Sequence, residues 1–125
     1  MTKICNKCKI EKPLSEFYKH SKTKDKVDYR CKICTNKCRA DNWLKSEYGL
    51  TREQYNNILF HQYYCCAICG CVLDMSEATK SCIDHDHKTG EVRGILCWKC
   101  NVGIGHLKED IKILKGAIKY LTPFF

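Results

Sequence analysis

The run Ser81-Cys82-Ile83-Asp84-His85-Asp86-His87-Lys88-Thr89-Gly90-Glu91-Val92-Arg93-Gly94-Ile95-Leu96-Cys97-Trp98-Lys99-Cys100-Asn101 decides the fold. Two strand-like segments flank Lys88-Thr89-Gly90, which predicts a β-hairpin with Gly90 at a positive-φ turn position. The closing Cys97-Trp98-Lys99-Cys100 then opens a helix through Asn101. Asp84, His85, Asp86 and His87 put four titratable or ligating side chains in a row. Strict strand alternation sends Asp84 and His85 to opposite faces, so a site using both requires the strand to end or bend there.

Working outward, Cys97 and Cys100 pair with Cys66-Ala67-Ile68-Cys69. Two residues between thiols let one tight turn aim both sulfurs at a single ion, and two such turns close a tetrahedral zinc site. The same logic appears earlier in Cys5-Asn6-Lys7-Cys8 and Cys31-Lys32-Ile33-Cys34. Cys38, Cys65, Cys71 and Cys82 are left over, and Cys38 lies close enough to Cys34 to compete for the first ion.

Twelve cysteines in 125 residues fit a secreted disulfide scaffold or an intracellular zinc protein. The start of the chain has no apolar leader and no stretch is long and apolar enough to span a membrane, which points to zinc and a cytoplasmic setting. Ile, Leu, Val, Met and Phe make up only about a quarter of the residues. So small an oily core needs metal to hold it, and stripping zinc is expected to unfold the chain. The formal net charge of +8 suggests a polyanionic partner, although eight thiolates around two Zn²⁺ would halve it.

Polar residues 21–28 read as a surface loop. Residues 39–49 read as a connecting helix with Trp43, Leu44 and Tyr48 on a narrow apolar stripe. A second helix is punctuated by Thr51 as N-cap, Gln54 as its capping-box partner, and a Leu50–Tyr55 staple. Its buried face would be Tyr55, Ile58, Leu59 and Gln62 or Tyr63. Leu107, Ile111, Leu114, Ile118 and Leu121 recur at helical spacing, predicting an amphipathic helix that ends at Pro123, with Lys112, Lys115 and Lys119 on a solvated face.

The cluster at residues 84–87 suits hydrolysis. Histidine, with an unperturbed pKa near ~6.5, can accept a proton from water, and Asp and Asn oxygens suit Mg²⁺. The competing readings are that His85 or His87 replaces a cysteine at zinc, or that the residues form a solvated hairpin tip. For Arg93 the alternatives are a bidentate phosphate contact and an ion pair with Glu91 or an aspartate. Trp98, between two zinc cysteines, is expected to be packed.

Taken together, the segments Tyr48-Gly49-Leu50-Thr51, Cys66-Ala67-Ile68-Cys69-Gly70, Ile83-Asp84-His85-Asp86-His87 and Val92-Arg93-Gly94-Ile95-Leu96-Cys97-Trp98-Lys99-Cys100-Asn101 resemble the bacteriophage recombination endonuclease VII family. These are HNH, or His-Me finger, nucleases. The resemblance covers roughly residues 47–121. It implies an α+β fold: a small zinc-stabilised ββα-metal domain with an N-terminal zinc knuckle and flanking helices. The divisions expected are a four-cysteine zinc module at 1–40, a helical connector at 41–63, the nuclease core at 64–106, and the amphipathic helix at 107–125.

By the same resemblance, His85 is the general base, Asp84 and Asn101 hold one Mg²⁺ or Mn²⁺, and His87 orients the phosphate. Cleavage of DNA would leave 5′-phosphate and 3′-hydroxyl ends, with Arg93, Lys99 and His106 as nucleic-acid contacts. Two structural Zn²⁺ sit in the quartets Cys5, Cys8, Cys31, Cys34 and Cys66, Cys69, Cys97, Cys100. The protein would be phage-encoded, with RNA as another substrate and a homodimer as another state. Junction-resolving members carry a glutamate three residues past the asparagine, where this chain has Ile104. A nicking or double-strand endonuclease therefore stands beside a junction resolvase. The alternative from a different class is a non-catalytic zinc module that binds nucleic acid or a protein partner.

Overall fold

The computed structural model describes residues 1–76 and 80–125. The chain separates into two compact units, Met1–Arg52 and Glu53–Phe125.

In the first unit, β1 (Thr2–Ile4) and β2 (Glu11–Pro13) pair antiparallel around the first cysteine turn, with Ile4 opposite Glu11. Within the turn, Cys5 N donates to Ile10 O (3.0 Å) and Lys9 N to Cys5 O (2.9 Å). Closing so tight a turn puts Lys9 at φ 60°, a conformation most side chains avoid. Next, β3 (Phe17–Lys19) and β4 (Val27–Cys31) form a second antiparallel ribbon, with Phe17 opposite Cys31. Cys31 is the N-cap of α1 (Lys32–Tyr48), which ends at Gly49 with φ 66°.

Helix α1 therefore starts well before residue 39, because the closing cysteine turn is itself the first helical turn. It runs across positions 40 and 41 without interruption, and only Thr35 and Leu44 on it are buried. Trp43 is 54% exposed, its ring against Tyr48 at 5.3 Å. Residues 21–26 form the exposed turn between β3 and β4, and Val27 and Asp28 already belong to β4. Within that turn Thr23 is buried, with its Oγ1 2.8 Å from the Val27 carbonyl and 3.0 Å from that of His20.

The second unit repeats this plan. Helix α2 (Arg52–His61) begins directly after Thr51 and buries Leu59, with Tyr55 and Ile58 packed beside it. Of the two candidates for the end of its inner face, Tyr63 is exposed and Gln62 turns inward. Cys66 N then donates to Cys71 O (2.8 Å) and Gly70 N to Cys66 O (2.9 Å), with Gly70 at φ 72°. Cys65 bridges Val72 as Ile4 pairs with Glu11.

The hairpin follows as β5 (Ser81–His85) and β6 (Val92–Cys97), and Cys97 caps α3 (Trp98–His106) as Cys31 caps α1. Even the bond that ties each knuckle to its hairpin recurs: Asn6 N to Tyr29 O (2.9 Å), and Ala67 N to Ile95 O (3.3 Å).

Each unit wraps its small core around its cysteines. Phe17 and Val27 pack with Cys5 and Cys31 in the first, and Leu59, Leu73, Ile95 and Leu96 pack with Cys66 in the second. Ile104 packs on the second core from α3, which accounts for an aliphatic residue there.

The C-terminal apolar repeat is not one continuous helix. Helix α3 ends at His106, Lys108 and Glu109 take left-handed φ values of 58° and 53°, and α4 (Ile111–Leu121) starts afresh. Asp110 caps it by accepting from Lys112 N (2.7 Å) and Ile113 N (3.3 Å). A 3₁₀ turn, Thr122–Phe124, carries Pro123 beyond the end of α4. No residue of α4 is buried, and Ile111 and Ile118 are exposed. Among the described residues no helix is long and apolar enough to cross a membrane.

Candidate functional site

The four sulfurs of each quartet, Cys5, Cys8, Cys31, Cys34 and Cys66, Cys69, Cys97, Cys100, lie within 4.8 Å of one another. A tetrahedron with Zn–S bonds of about 2.3 Å has edges of about 3.8 Å, and Cys69 Sγ lies 3.8 Å from Cys97 Sγ. Both clusters thus fit zinc, with Cys38 outside the first. Cys65 and Cys71 fall where the first unit has Ile4 and Ile10, on either side of the knuckle.

The electrostatics of the sulfurs point the same way. Burial acts to raise the Cys5 thiol, but N–H groups of Cys31, Cys8 and Lys7 outweigh it and bring it down to about 6. Cys66 likewise falls to about 6 against the effect of burial, through the N–H groups of Cys69, Cys97 and Ile68. Burial, followed by neighbouring thiols, pushes Cys34 up to about 12, and the same causes raise Cys100. The backbone is arranged for thiolates, yet four of them repel one another without a cation between them.

The hairpin carries the remaining chemistry. Its register runs Ser81 to Cys97, Ile83 to Ile95 and Asp84 to Gly94, then shifts so that His85 faces Val92. Arg93 is the extra residue, so the β-bulge lies on β6 opposite Asp84 and His85, while β5 itself ends at His85.

Gly94, in the same stretch, lets α2 approach. Gln62 Nε2 donates to Ile95 O (2.7 Å) and Cys65 O (2.9 Å), while its Oε1 accepts from Ile95 N (2.9 Å). A Cβ at Gly94 would lie 3.0 Å from that Oε1. Gln62 therefore clamps the strand that presents the bulge, a role its place on an apolar helix face did not advertise.

Asp84 is buried. Arg93 forks onto it, Nε donating to Oδ2 (2.7 Å) and Nη2 to Oδ1 (2.9 Å), so the ion pair with an aspartate is the alternative seen for this arginine. Nη2 also donates to Glu109 Oε2 (2.9 Å), whose Oε1 lies 3.4 Å from His87 Nε2. The His85 and His87 rings are 4.8 Å apart. Asp84, Arg93, Glu109 and the two histidines thus form one connected cluster.

Asp86 has a different task. Its Oδ1 accepts from Lys88 N (2.7 Å) and Thr89 N (3.0 Å), and the Thr89 and Lys88 N–H groups hold its carboxyl below the ordinary range. With Gly90 at φ 76°, Asp86 builds the turn that sequence pattern placed there.

Glu109 was not legible in the apolar repeat, which read through it as helix. The available signal was Asp110, a good N-cap immediately before Ile111. A cleft of about 450 Å³ beside the cluster is lined by Asp86, His87, Lys88, Arg93, Gly105, Lys108 and Glu109.

Helix α3 packs against both strands of the hairpin. It carries Asn101, half-buried, together with Lys99 and His106, both exposed and seven residues apart. His106 closes this helix rather than opening the next. Trp98 is 55% exposed, contrary to the packed position expected from its zinc-binding neighbours.

Known proteins resemble this chain in sequence and structure. The chain is 40% identical over 79 residues to the Gene 59 proteins of Mycobacterium phages D29 and L5, 62% of this chain and 47% of theirs. It thus spans about half the length of the curated relatives it matches. The crystal structure of the β-β-α-Me type II restriction endonuclease Hpy99I aligns with TM-score 0.47 at 25% identity, over 99% of this chain and 66% of that one. The model of the family described as Recombination endonuclease VII matches residues 41–123, which contain the bulged hairpin, its zinc quartet and Asn101, and the chain belongs to that family.

Proposed function

We propose that this chain is a divalent-metal-dependent endonuclease that hydrolyses DNA phosphodiester bonds, leaving 5′-phosphate and 3′-hydroxyl ends. The observation that carries the reading is the connected cluster of Asp84, Arg93, Glu109, His87 and His85 beside an open cleft, in a member of a nuclease family.

In this reading His85 accepts the proton of the attacking water on an imidazole nitrogen, and the neighbouring His87 ring orients the phosphate. Asp84 and Asn101 would hold Mg²⁺ or Mn²⁺, and the donor set fits: both residues offer the hard oxygens such ions prefer. A carboxylate has about four lone-pair sites, of which the Arg93 fork takes two. When bound, the ion neutralises charge on the phosphate and the leaving 3′ oxygen.

Arg93 fixes the Asp84 carboxylate and, with three of its five N–H donors engaged, keeps Nη1 for a phosphate oxygen. Lys99 and His106 are further phosphate contacts on α3. The zinc quartets keep no open position and act as scaffold. That the two curated relatives are mycobacteriophage proteins supports a phage-encoded enzyme working in a bacterial cytoplasm.

The test is conversion of supercoiled plasmid to nicked and linear forms with Mg²⁺, Mn²⁺ or EDTA. His85→Ala should lower the rate by about 10²–10⁴-fold, the usual contribution of a general base. Asn101→Ala should do likewise with two zinc ions per chain retained. Undiminished cleavage by His85→Ala would refute the assignment, and cleavage of RNA alone would refute the substrate.

A further inference from the structure

We propose that the first unit, Met1–Arg52, is the surface that grips the phosphates of duplex DNA. This rests on the nuclease reading only for the identity of the polyanion. Residues 1–52 hold 14 Lys and Arg against 6 Asp and Glu, whereas residues 53–125 hold 8 against 8. The whole formal charge of +8 therefore belongs to the first unit. A zinc-bound thiolate quartet lowers both units equally, leaving the first strongly positive and the second negative.

The charges of the two units are also used differently. Arg93 in the second unit is committed to Asp84 and Glu109, and Lys80 to Asp74. In the first, among the described residues, only Lys3 and Arg52 of the 14 have a carboxylate within 4.0 Å, at Asp25 and Asp41.

Two of the uncommitted cations are held in place by an aromatic ring. Lys32, Asn36 and Arg39 lie at i, i+4 and i+7 on one stripe of α1. Tyr18 of β3 donates from its hydroxyl to Asn36 Oδ1 (2.8 Å). Lys32 Nζ and the Arg39 guanidinium carbon sit 5.8 Å and 5.1 Å from the Tyr18 ring centroid. Cations so placed have lost part of their rotamer freedom before binding and have no carboxylate to give up. Such a surface suits a regular array of phosphates and offers it sequence-independent contacts.

The test is binding of labelled linear duplexes to the full zinc-loaded chain without Mg²⁺ or Mn²⁺, as a function of salt concentration. Lys32→Gln/Arg39→Gln is compared with Lys112→Gln/Lys115→Gln on α4, with zinc content and circular dichroism checked for each. The first variant should bind all duplex sequences more weakly, and its log–log salt slope should be shallower by about 2, since each phosphate contact contributes roughly 0.9. The α4 variant should keep the wild-type slope.

An unchanged slope in the first variant, an equal loss in the α4 variant, or no duplex binding by wild type at low salt would each overturn the proposal. His85→Ala should bind DNA with the wild-type slope while failing to cut it. Failure of the gripping surface and failure of the nuclease assignment therefore give different results.

Discussion

The two halves of the chain are built to one plan and equipped for different work. Knuckle, ribbon and capped helix recur, with matching backbone hydrogen bonds at Cys5 and Cys66, Lys9 and Gly70, and Asn6 and Ala67, and with Cys31 and Cys97 as the helix N-caps. What differs is a handful of positions. Directly after the fourth zinc cysteine, the second unit has Asn101 and the first has Thr35, buried with its hydroxyl making no hydrogen bond. The second hairpin has Asp84 and His85 opposite a bulge, while the first unit holds the surplus of positive charge. The zinc frame is thus indifferent to function, which is set by what is attached to it.

The comparison breaks most severely if the frame does not need its metal. Structural zinc contributes apparent binding energies of about 10–16 kcal/mol in small modules, more than a domain of this size has to spare. Chelation should abolish helical circular dichroism in α1 and α3 together and release two zinc ions per chain. Full helicity after chelation would mean that the small apolar cores suffice.

The next largest effect should separate the units by their ion pairs. Asp84 is buried and held on both oxygens, whereas in Lys3–Asp25 the acid is the exposed partner, at 37%, and the lysine side chain is 16% exposed. Truncating one partner of a fully buried pair costs about 3–5 kcal/mol, but the Arg93 side chain is 38% exposed, so Arg93→Ala should cost about 2 kcal/mol. Lys3→Ala should cost distinctly less, because solvent screens its exposed partner Asp25 with or without the lysine. Urea denaturation of the zinc-loaded proteins measures both, and equal costs would mean that the Asp84 fork is an ordinary surface contact.

How much of this was readable beforehand follows from the range of each signal. Both quartets, the hairpin and the Asp84–His87 run were legible because they depend on spacings of a few residues. The internal duplication was not, because it resides in backbone hydrogen bonds, and the two units share little side-chain identity beyond the cysteines. Glu109 was hidden by a helical period that continued through Leu107 and Ile111 even though the chain breaks between them. Gln62 gave no warning, since a polar side chain on an inner helix face declares its partner only when Gly94 brings β6 near. The charge partition was present in the letters, but the boundary at which to divide them was not.

That clamp supplies a mid-sized test, since only the second unit has one among the described residues. Gln62→Leu leaves the backbone groups of Ile95 without their side-chain partner and should cost about 1–3 kcal/mol. Gly94→Ala should cost a similar amount, because the added carbon pushes against Gln62 Oε1. Combined in one chain, the two changes should cost less than their sum, because the leucine removes the oxygen that the alanine strikes. Additive costs in a double-mutant cycle would show that Gly94 is required for another reason.

The smallest effect tests the equivalence of the two knuckles most directly. Lys9 and Gly70 occupy the same turn, at φ 60° and 72°. A non-glycine residue in that region costs roughly 1–2 kcal/mol, whereas glycine adopts it freely. Lys9→Gly should therefore stabilise the first unit by about 1 kcal/mol, once the extra freedom of glycine in the unfolded chain is deducted. Gly70→Ala should destabilise the second by about the same amount, and no atom lies within 4 Å of the new carbon to add a steric term. Opposite signs of similar size would establish that one backbone geometry serves both zinc sites. A loss of stability in Lys9→Gly would mean that the first knuckle depends on its lysine, and that the two frames differ below the level of their hydrogen bonds.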